Sequence, residues 1–194
     1  MENNLYPIFT LPNQSSYPLI HDVVIHPFKV NHDPRGTLTE ALKTTWDDVY
    51  NTNHRPFTQM YFSQTEAGVA RDTNEWHVHP TGQEDRFFVI QGTIVTAIYD
   101  AREDSPTKSK LNLFLMGETA DDVGQYLLVI PQRTYHGYVV VSSQPAILGN
   151  FPTRLYDPRE EGRTPMKDAL LPDGSIFSWD QVKTLVQSTL VPSP

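Results

Sequence analysis

Proline most constrains what this chain can fold into: it supplies 16 of 194 residues, about 8% against a usual value near 5%. Proline has no N–H to give to a strand ladder and interrupts helices, so it marks the ends and edges of elements. The runs between the prolines are short and β-prone. Between Pro80 and Pro106 lie Phe87 to Ile90 and Thr93 to Tyr99, joined by Gln91-Gly92, which predicts a hairpin. Further strands are expected at Leu111 to Leu115, Tyr126 to Ile130, Tyr138 to Val141 and Ala146 to Leu148. Val23 to Ile25, Leu38 to Leu42 and Phe57 to Phe62 add three more before Pro80.

No amphipathic helical pattern alternates with these strands, so an antiparallel sandwich or barrel is expected rather than a βαβ architecture. One helix is predicted near the C-terminus. Ser178 to Gln181 fits a capping box, and Val182, Leu185, Val186 and Leu190 follow at helical spacing. The helix is expected to pack outside the barrel. The expected organisation is an N-terminal arm over residues 1–22, a β domain over 23–177, and a C-terminal helix and tail over 178–194.

Composition removes several classes of function. There is no cysteine, hence no disulfide, thiolate metal site or cysteine nucleophile. No apolar run reaches the roughly 18 residues of a membrane span. The start, Met1 to Leu5, has neither a basic residue nor an apolar stretch behind it, so a cytoplasmic location is expected. The formal net charge of -8 argues against a nucleic-acid face. A small anionic ligand stays possible, because two or three placed arginines can bind it inside an acidic protein.

Three segments combine polar residues with strand flanks in a way that a plain core does not need. In His32-Asp33-Pro34-Arg35-Gly36-Thr37-Leu38-Thr39-Glu40, a turn delivers Arg35 and leads into a strand with Leu38 and Glu40 on one face. Trp76-His77-Val78-His79 places two imidazoles on the same face of a strand, as a barrel strand aims side chains into a cavity. Ile130 to Tyr138 reads as a strand, a proline turn, and His136 entering the next strand.

The second and third segments resemble the two cupin motifs, His-x-His with a following acid and glycine, then Pro-x-x-x-x-His. A cupin is a jelly-roll β-barrel, in agreement with the strand pattern. With the flanks included, the resemblance narrows to the dTDP-4-dehydrorhamnose 3,5-epimerases. It rests on His-Asp-x-Arg-Gly-x-Leu-x-Glu (32–40), Gln59, Gly-Val-x-Arg (68–71), His77, Gln83, Asp-x-Arg-x-x-Ser-Pro-Thr (100–107), His136-Gly137 and Tyr-x-Pro-x-x-Glu (156–161). The span is roughly residues 24–180.

The resemblance implies removal of a proton beside the ketone of a dTDP-linked 4-keto-6-deoxyhexose and its return, without a cofactor and in a homodimer whose N-terminal arm crosses to the other subunit. By the same matching His77 is the base and Asp168 its carboxylate partner. Arg35 and Arg71 hold the diphosphate, Glu40 and Gln59 contact the nucleobase or adjacent sugar, and His136 reaches the hexose near its keto oxygen. Three positions depart from the family pattern. Its proton-donating tyrosine falls at Asn150, which cannot act as a general acid, leaving Tyr61, Tyr135 or Tyr138 to supply a phenol from another strand, or a reaction that stops at one epimerisation or is a ketoisomerisation. Its lysine falls at Asp85, beside Arg86. Its usual glutamine falls at His79, which completes a His77, His79, Asp85 (or Glu84), His136 set suited to a divalent metal. Two other classes therefore stand beside the epimerase: a metal-dependent cupin enzyme, and a sugar-nucleotide-binding protein without catalysis.

Overall fold

A computed structural model describes residues 8–9 and 18–190; most of the expected arm and the last four residues lie outside that range. In chain order the strands are β1 (Ile8–Phe9), β2 (Val24–Pro27), β3 (Val30–Asp33), β4 (Gly36–Thr39), β5 (Tyr61–Thr65), β6 (Ala70–Arg71) and β7 (Glu75–Val78). They continue as β8 (Asp85–Gln91), β9 (Thr93–Tyr99), β10 (Leu111–Gly117), β11 (Tyr126–Ile130), β12 (Tyr135–Val140), β13 (Ala146–Asn150) and β14 (Gly162–Pro165). The one α-helix among the described residues, α1, spans Trp179–Leu190. It is too short to cross a membrane, as is every described helix.

The strands form a jelly roll of two facing sheets. One has the order β1-β10-β9-β12-β7-β14 with β6 beside β12, the other the order β2-β11-β8-β13-β5; β3 and β4 make a separate hairpin. Each sheet is apolar on both faces, so the fold has three apolar layers. Phe87, Val89, Ile94, Ile98, Phe114 and Leu128 fill the space between the sheets. The outer face of the larger sheet carries Trp76, Val95 and Val139 under Trp179, Val182 and Val186 of α1. The outer face of the smaller sheet carries Phe88, Leu127 and Val129, covered by Phe28, Trp46 and Val49. α1 thus packs on the outside, as expected, with Ser178 Oγ 3.5 Å from the Gln181 N–H at its start.

The expected hairpin at Gln91-Gly92 is a crossover instead. β8 pairs with β11 and β13, whereas β9 pairs with β10 and β12, so Gly92 carries the chain from one sheet to the other. Its φ of +76° suits glycine, and a Cβ there would lie 2.9 Å from Ala146 Cα. Both runs are largely buried on both faces, so alternation could not reveal which sheet each belongs to. Two expected strands are also shorter: β4 stops at Thr39, and Phe57 to Met60 precede β5 as an irregular segment.

Candidate active site

The cavity is built by register. In the larger sheet His77 stands opposite His136 on β12 and opposite Arg163 on β14. The pleat turns Trp76 outward into the helix-covered layer and His77 inward. Across the gap, Tyr61 and Asp85 come from β5 and β8 of the smaller sheet. Together with Arg71 these residues line a cavity of about 190 Å³. That is below the roughly 300–1,000 Å³ of a typical small-molecule pocket, so it has room for one sugar ring and leaves the remainder of a larger ligand at its open rim.

β8 alternates sharply. Asp85 faces the cavity and is 2% exposed, while Arg86 turns to the outer layer, where its guanidinium donates to the carbonyls of Phe151, Val49, Arg55 and Pro56. Arg86 therefore does not stand in for a cavity lysine. Glu84 is also excluded from the cavity cluster, since it forms an ion pair with Arg55 at 2.7 Å. Asp85 accepts hydrogen bonds from Gln83 (3.0 Å) and Asn150 (2.9 Å) and lies 3.1 Å from His79 Nε2. Burial alone would raise its pKa; His136 and His79 beside it hold the carboxyl well below the usual range.

Three imidazoles converge on that carboxylate. His77 Nε2 is 3.0 Å from His79 Nε2, and His136 Nε2 is 3.3 Å from Asp85 Oδ2, within ion-pair range but without a hydrogen bond. The opposite nitrogens each meet an acceptor: His79 Nδ1 the Glu160 carbonyl at 3.3 Å, His136 Nδ1 the Thr134 carbonyl at 3.3 Å, and His77 Nδ1 the Glu161 carboxylate at 3.4 Å. One ligand atom from each of His77, His79, Asp85 and His136 lies within 4.8 Å of all the others. An inward set of nitrogens with outward N–H acceptors is the arrangement of metal-bound histidines, so these four residues could hold a divalent transition metal.

The charges separate the histidines. Burial, with His136, His79 and Arg163 alongside, pushes His77 from an ordinary value of 6.5 down to about 2, so the ring is neutral. Burial also opposes charge on His79, but Asp85 outweighs it and raises that pKa. Arg163 joins Asp72 and Glu161, and its Nη1 meets His77 Nδ1 as well. His77 Nδ1 therefore has both a donor, Arg163, and an acceptor, Glu161, beside it, and its tautomer follows whichever of the two it bonds.

Of the residues singled out in the sequence, His77, Arg71 and His136 share the cavity with Tyr61, Asp85 and Tyr138. Gln59 lies just before β5 and donates to the Arg154 carbonyl. Arg35 and Glu40 do not reach the cavity in this chain: Arg35 sits at the β3–β4 turn, paired with Asp33 and with its side chain 89% exposed, and Glu40 pairs with Lys43. Asp168 is not the partner of His77. It is exposed after β14, makes no hydrogen bond or ion pair with His77, and its neighbours Met166 and Lys167 line a separate cavity of about 690 Å³. The carboxylate at His77 Nδ1 is Glu161, at the start of the same stretch, because the β14–β7 pairing brings that end to the cavity. Arg163 and Asp72 had no signal beyond that register.

The family model of dTDP-4-dehydrorhamnose 3,5-epimerase matches residues 18–176. A Haloferax volcanii protein named "Probable low-salt glycan biosynthesis epimerase Agl13" is 40% identical over 140 residues, covering 72% of this chain and 83% of its own. A dTDP sugar isomerase from Desulfovibrio desulfuricans superposes with a TM-score of 0.70 at 22% identity, over 83% of this chain and 92% of that one. A dTDP-6-deoxy-D-glucose-3,5-epimerase from Legionella pneumophila, in complex with dTDP-4-keto-L-rhamnose, gives 0.61 at 24% identity over 74% and 73%. The jelly roll, the paired histidines on neighbouring strands and the match over most of its length lead to one conclusion: this chain belongs to the dTDP-4-dehydrorhamnose 3,5-epimerase family.

Proposed function

We propose that the protein is a nucleotide-sugar epimerase of the isomerase class, which removes a proton beside the ketone of a dTDP-linked 4-keto-6-deoxyhexose and returns it with inversion. The observation that carries this reading is the placement of neutral His77 on the wall of a ring-sized cavity, between His136 and Arg163. A neutral imidazole has a lone pair for a carbon-bound proton, and a carboxylate behind it steadies the imidazolium that forms. Glu161 supplies that carboxylate. The step needs the tautomer with the proton on Nδ1, given to Glu161, and Arg163 held by Glu161 and Asp72 alone. His136 reaches the keto oxygen, and Arg71, anchored to Thr65 Oγ1 and the Gln64 carbonyl, takes the diphosphate at the rim.

The reading includes a homodimer working in the cytoplasm. The β3–β4 hairpin, with exposed Arg35 and a 63% exposed Leu38, fits a role at the cavity of a second copy, where Arg35, Glu40 and Gln59 contact the nucleotide end. The test is proton exchange in D2O with dTDP-4-keto-6-deoxyglucose, followed by NMR. The protein is expected to incorporate deuterium at a carbon next to the ketone, and His77→Gln to lose that incorporation by about 100-fold or more. Unchanged incorporation in His77→Gln would remove His77 as the base.

A second reading is favoured by the convergence of three imidazole nitrogens on Asp85. A divalent metal there would polarise the ketone and acidify the neighbouring C–H. The two readings exclude each other at His77, whose Nε2 lone pair cannot hold a metal and accept a proton at once. Metal analysis of the purified protein separates them: about one transition-metal equivalent per chain, lost in His79→Ala, selects the metal form.

A further inference from the structure

A base that removes a proton from one face of the sugar gives inversion only if another group delivers a proton to the opposite face. Asn150 cannot be that group. Its surroundings identify the one that is. The Arg86 backbone N–H donates to Asn150 Oδ1 at 2.9 Å, and a backbone N–H cannot accept, so the orientation of the amide is fixed. Nδ2 then donates its two hydrogens, one to Asp85 Oδ1 at 2.9 Å and one to the Tyr61 hydroxyl at 2.8 Å.

Tyr61 is the direct cross-strand neighbour of Asn150 in the β13–β5 pairing. In this pair its oxygen is the acceptor, so its own proton is not used by Asn150. Among the described hydrogen bonds no acceptor takes that proton. The other candidate phenols are engaged or elsewhere. The Tyr138 hydroxyl lies 2.8 Å from Thr65 Oγ1 and 3.3 Å from Ser63 Oγ, and Tyr135 packs in the outer layer against Tyr99. Tyr61 lines the cavity with His77 and is 47% exposed. The two residues come from different sheets, so a sugar ring between the sheets presents one face to each.

We propose that Tyr61 is the proton donor of the epimerisation, a catalytic residue moved from β13 to the adjacent strand β5 and aimed by Asn150. The proposal rests on the epimerase reading. His77 takes the proton from the carbon beside the ketone, and the C–H electron pair becomes the enolate. The enolate carbon then takes the phenolic proton on its other face, leaving a tyrosinate. Transfer of a proton from the imidazolium through water to the tyrosinate restores both groups, so nothing else is consumed. Burial and the Asp85 charge push the Tyr61 pKa up to about 12, which keeps the phenol protonated between turnovers.

The experiment compares the full-length protein with Tyr61→Phe on dTDP-4-keto-6-deoxyglucose in D2O, with deuterium incorporation and inverted product read separately by NMR. Tyr61→Phe keeps the ring and is checked for an unchanged melting temperature. It is expected to incorporate deuterium at near the parental rate, because the base still removes the proton and returns a deuteron to the face it left, while inverted product falls by about 100-fold or more. Asn150→Ala, with the phenol present but unaimed, is expected to lower inversion less than Tyr61→Phe does. Inversion within about threefold of the parent in Tyr61→Phe overturns the proposal. So does loss of incorporation and inversion to the same extent, which would make Tyr61 a binding group. A parent protein that neither exchanges nor inverts would instead refute the epimerase reading itself, and the proposal with it.

Discussion

Replacing Arg86 with methionine tests the buried side of the site. Arg86 is fully buried, and its guanidinium donates to four carbonyls: Phe151 at 2.6 Å, Pro56 at 2.7 Å, Val49 at 2.8 Å and Arg55 at 3.1 Å. Burial opposes its charge and pushes its pKa down to about 10, yet it remains protonated near neutral pH. Each hydrogen bond to a charged group is worth about 1.5–3 kcal/mol. The desolvation cost of the guanidinium, relieved in the variant, offsets much of that sum, while each carbonyl left without a donor costs about 1–3 kcal/mol. We therefore expect Arg86→Met to lose about 3–5 kcal/mol. Arg86→Lys should lose less, since an ammonium keeps three donors but not the planar fork. Urea unfolding followed by tryptophan fluorescence measures this, and Trp46 reports from the same layer. Three of the four carbonyls belong to the segment leading into β5, so the loss should be accompanied by faster amide exchange over residues 49–57. A loss below about 1 kcal/mol in Arg86→Met would refute the reasoning, because the four carbonyls would then have found other donors.

Three further outcomes follow from the contacts. Burial favours the protonated form of Asp100, but hydrogen bonds from Arg102, Ser105 and Thr107 outweigh it and hold the pKa at about 2, so the unfolded chain binds more protons between that value and an ordinary 3.8. Its stabilisation is present above pH 3.8 and lost as pH falls through about 2, and Asp100→Asn should flatten the acid limb of stability measured by urea midpoints. Trp179→Ala removes the anchor of α1, which packs on Phe177 at 4.7 Å between ring centroids, and should cost about 3–5 kcal/mol in the same assay. Glu161→Gln should slow deuterium incorporation by about 10-fold or more, as expected for loss of the group that orients the base, while Asp168→Asn leaves it unchanged. An equal effect of the two would contradict the geometry.

Local features of the site were legible in the sequence because they depend on spacing alone. His77 and His79 two residues apart share a face by the pleat, and the Pro131 turn delivers His136 into β12. Asp-x-Arg-x-x-Ser-Pro-Thr also proved local, though structural: Arg102, Ser105 and Thr107 all bind Asp100 within one loop. What the sequence hid depends on register between distant strands. Whether Glu161 or Asp168 stands behind His77 is decided by the pairing of β14 with β7, and no local pattern encodes it. Tyr61 and Asn150 lie 89 positions apart and meet only because β5 pairs with β13. The Gln91-Gly92 turn looked like a hairpin because a glycine between two apolar runs serves a crossover equally well.

The departures from the family pattern form one connected structure. His79 lies 3.1 Å from Asp85, and Asn150 donates to Asp85 and to Tyr61 at once. Each change makes sense of the others. A carboxylate at position 85 needs donors, which His79, Gln83 and Asn150 provide; an amide at position 150 gives up the phenol, which Tyr61 restores from the next strand. Restoring the family lysine alone, as Asp85→Lys, would set an ammonium among three imidazoles and leave the Asn150 and Gln83 amides without their acceptor. It should therefore impair both folding and catalysis, even though it moves the sequence towards the family pattern. The proton relay proposed for this chain thus depends on the set of residues around Asp85, and a single substitution towards the family pattern breaks that set without restoring the family's own arrangement.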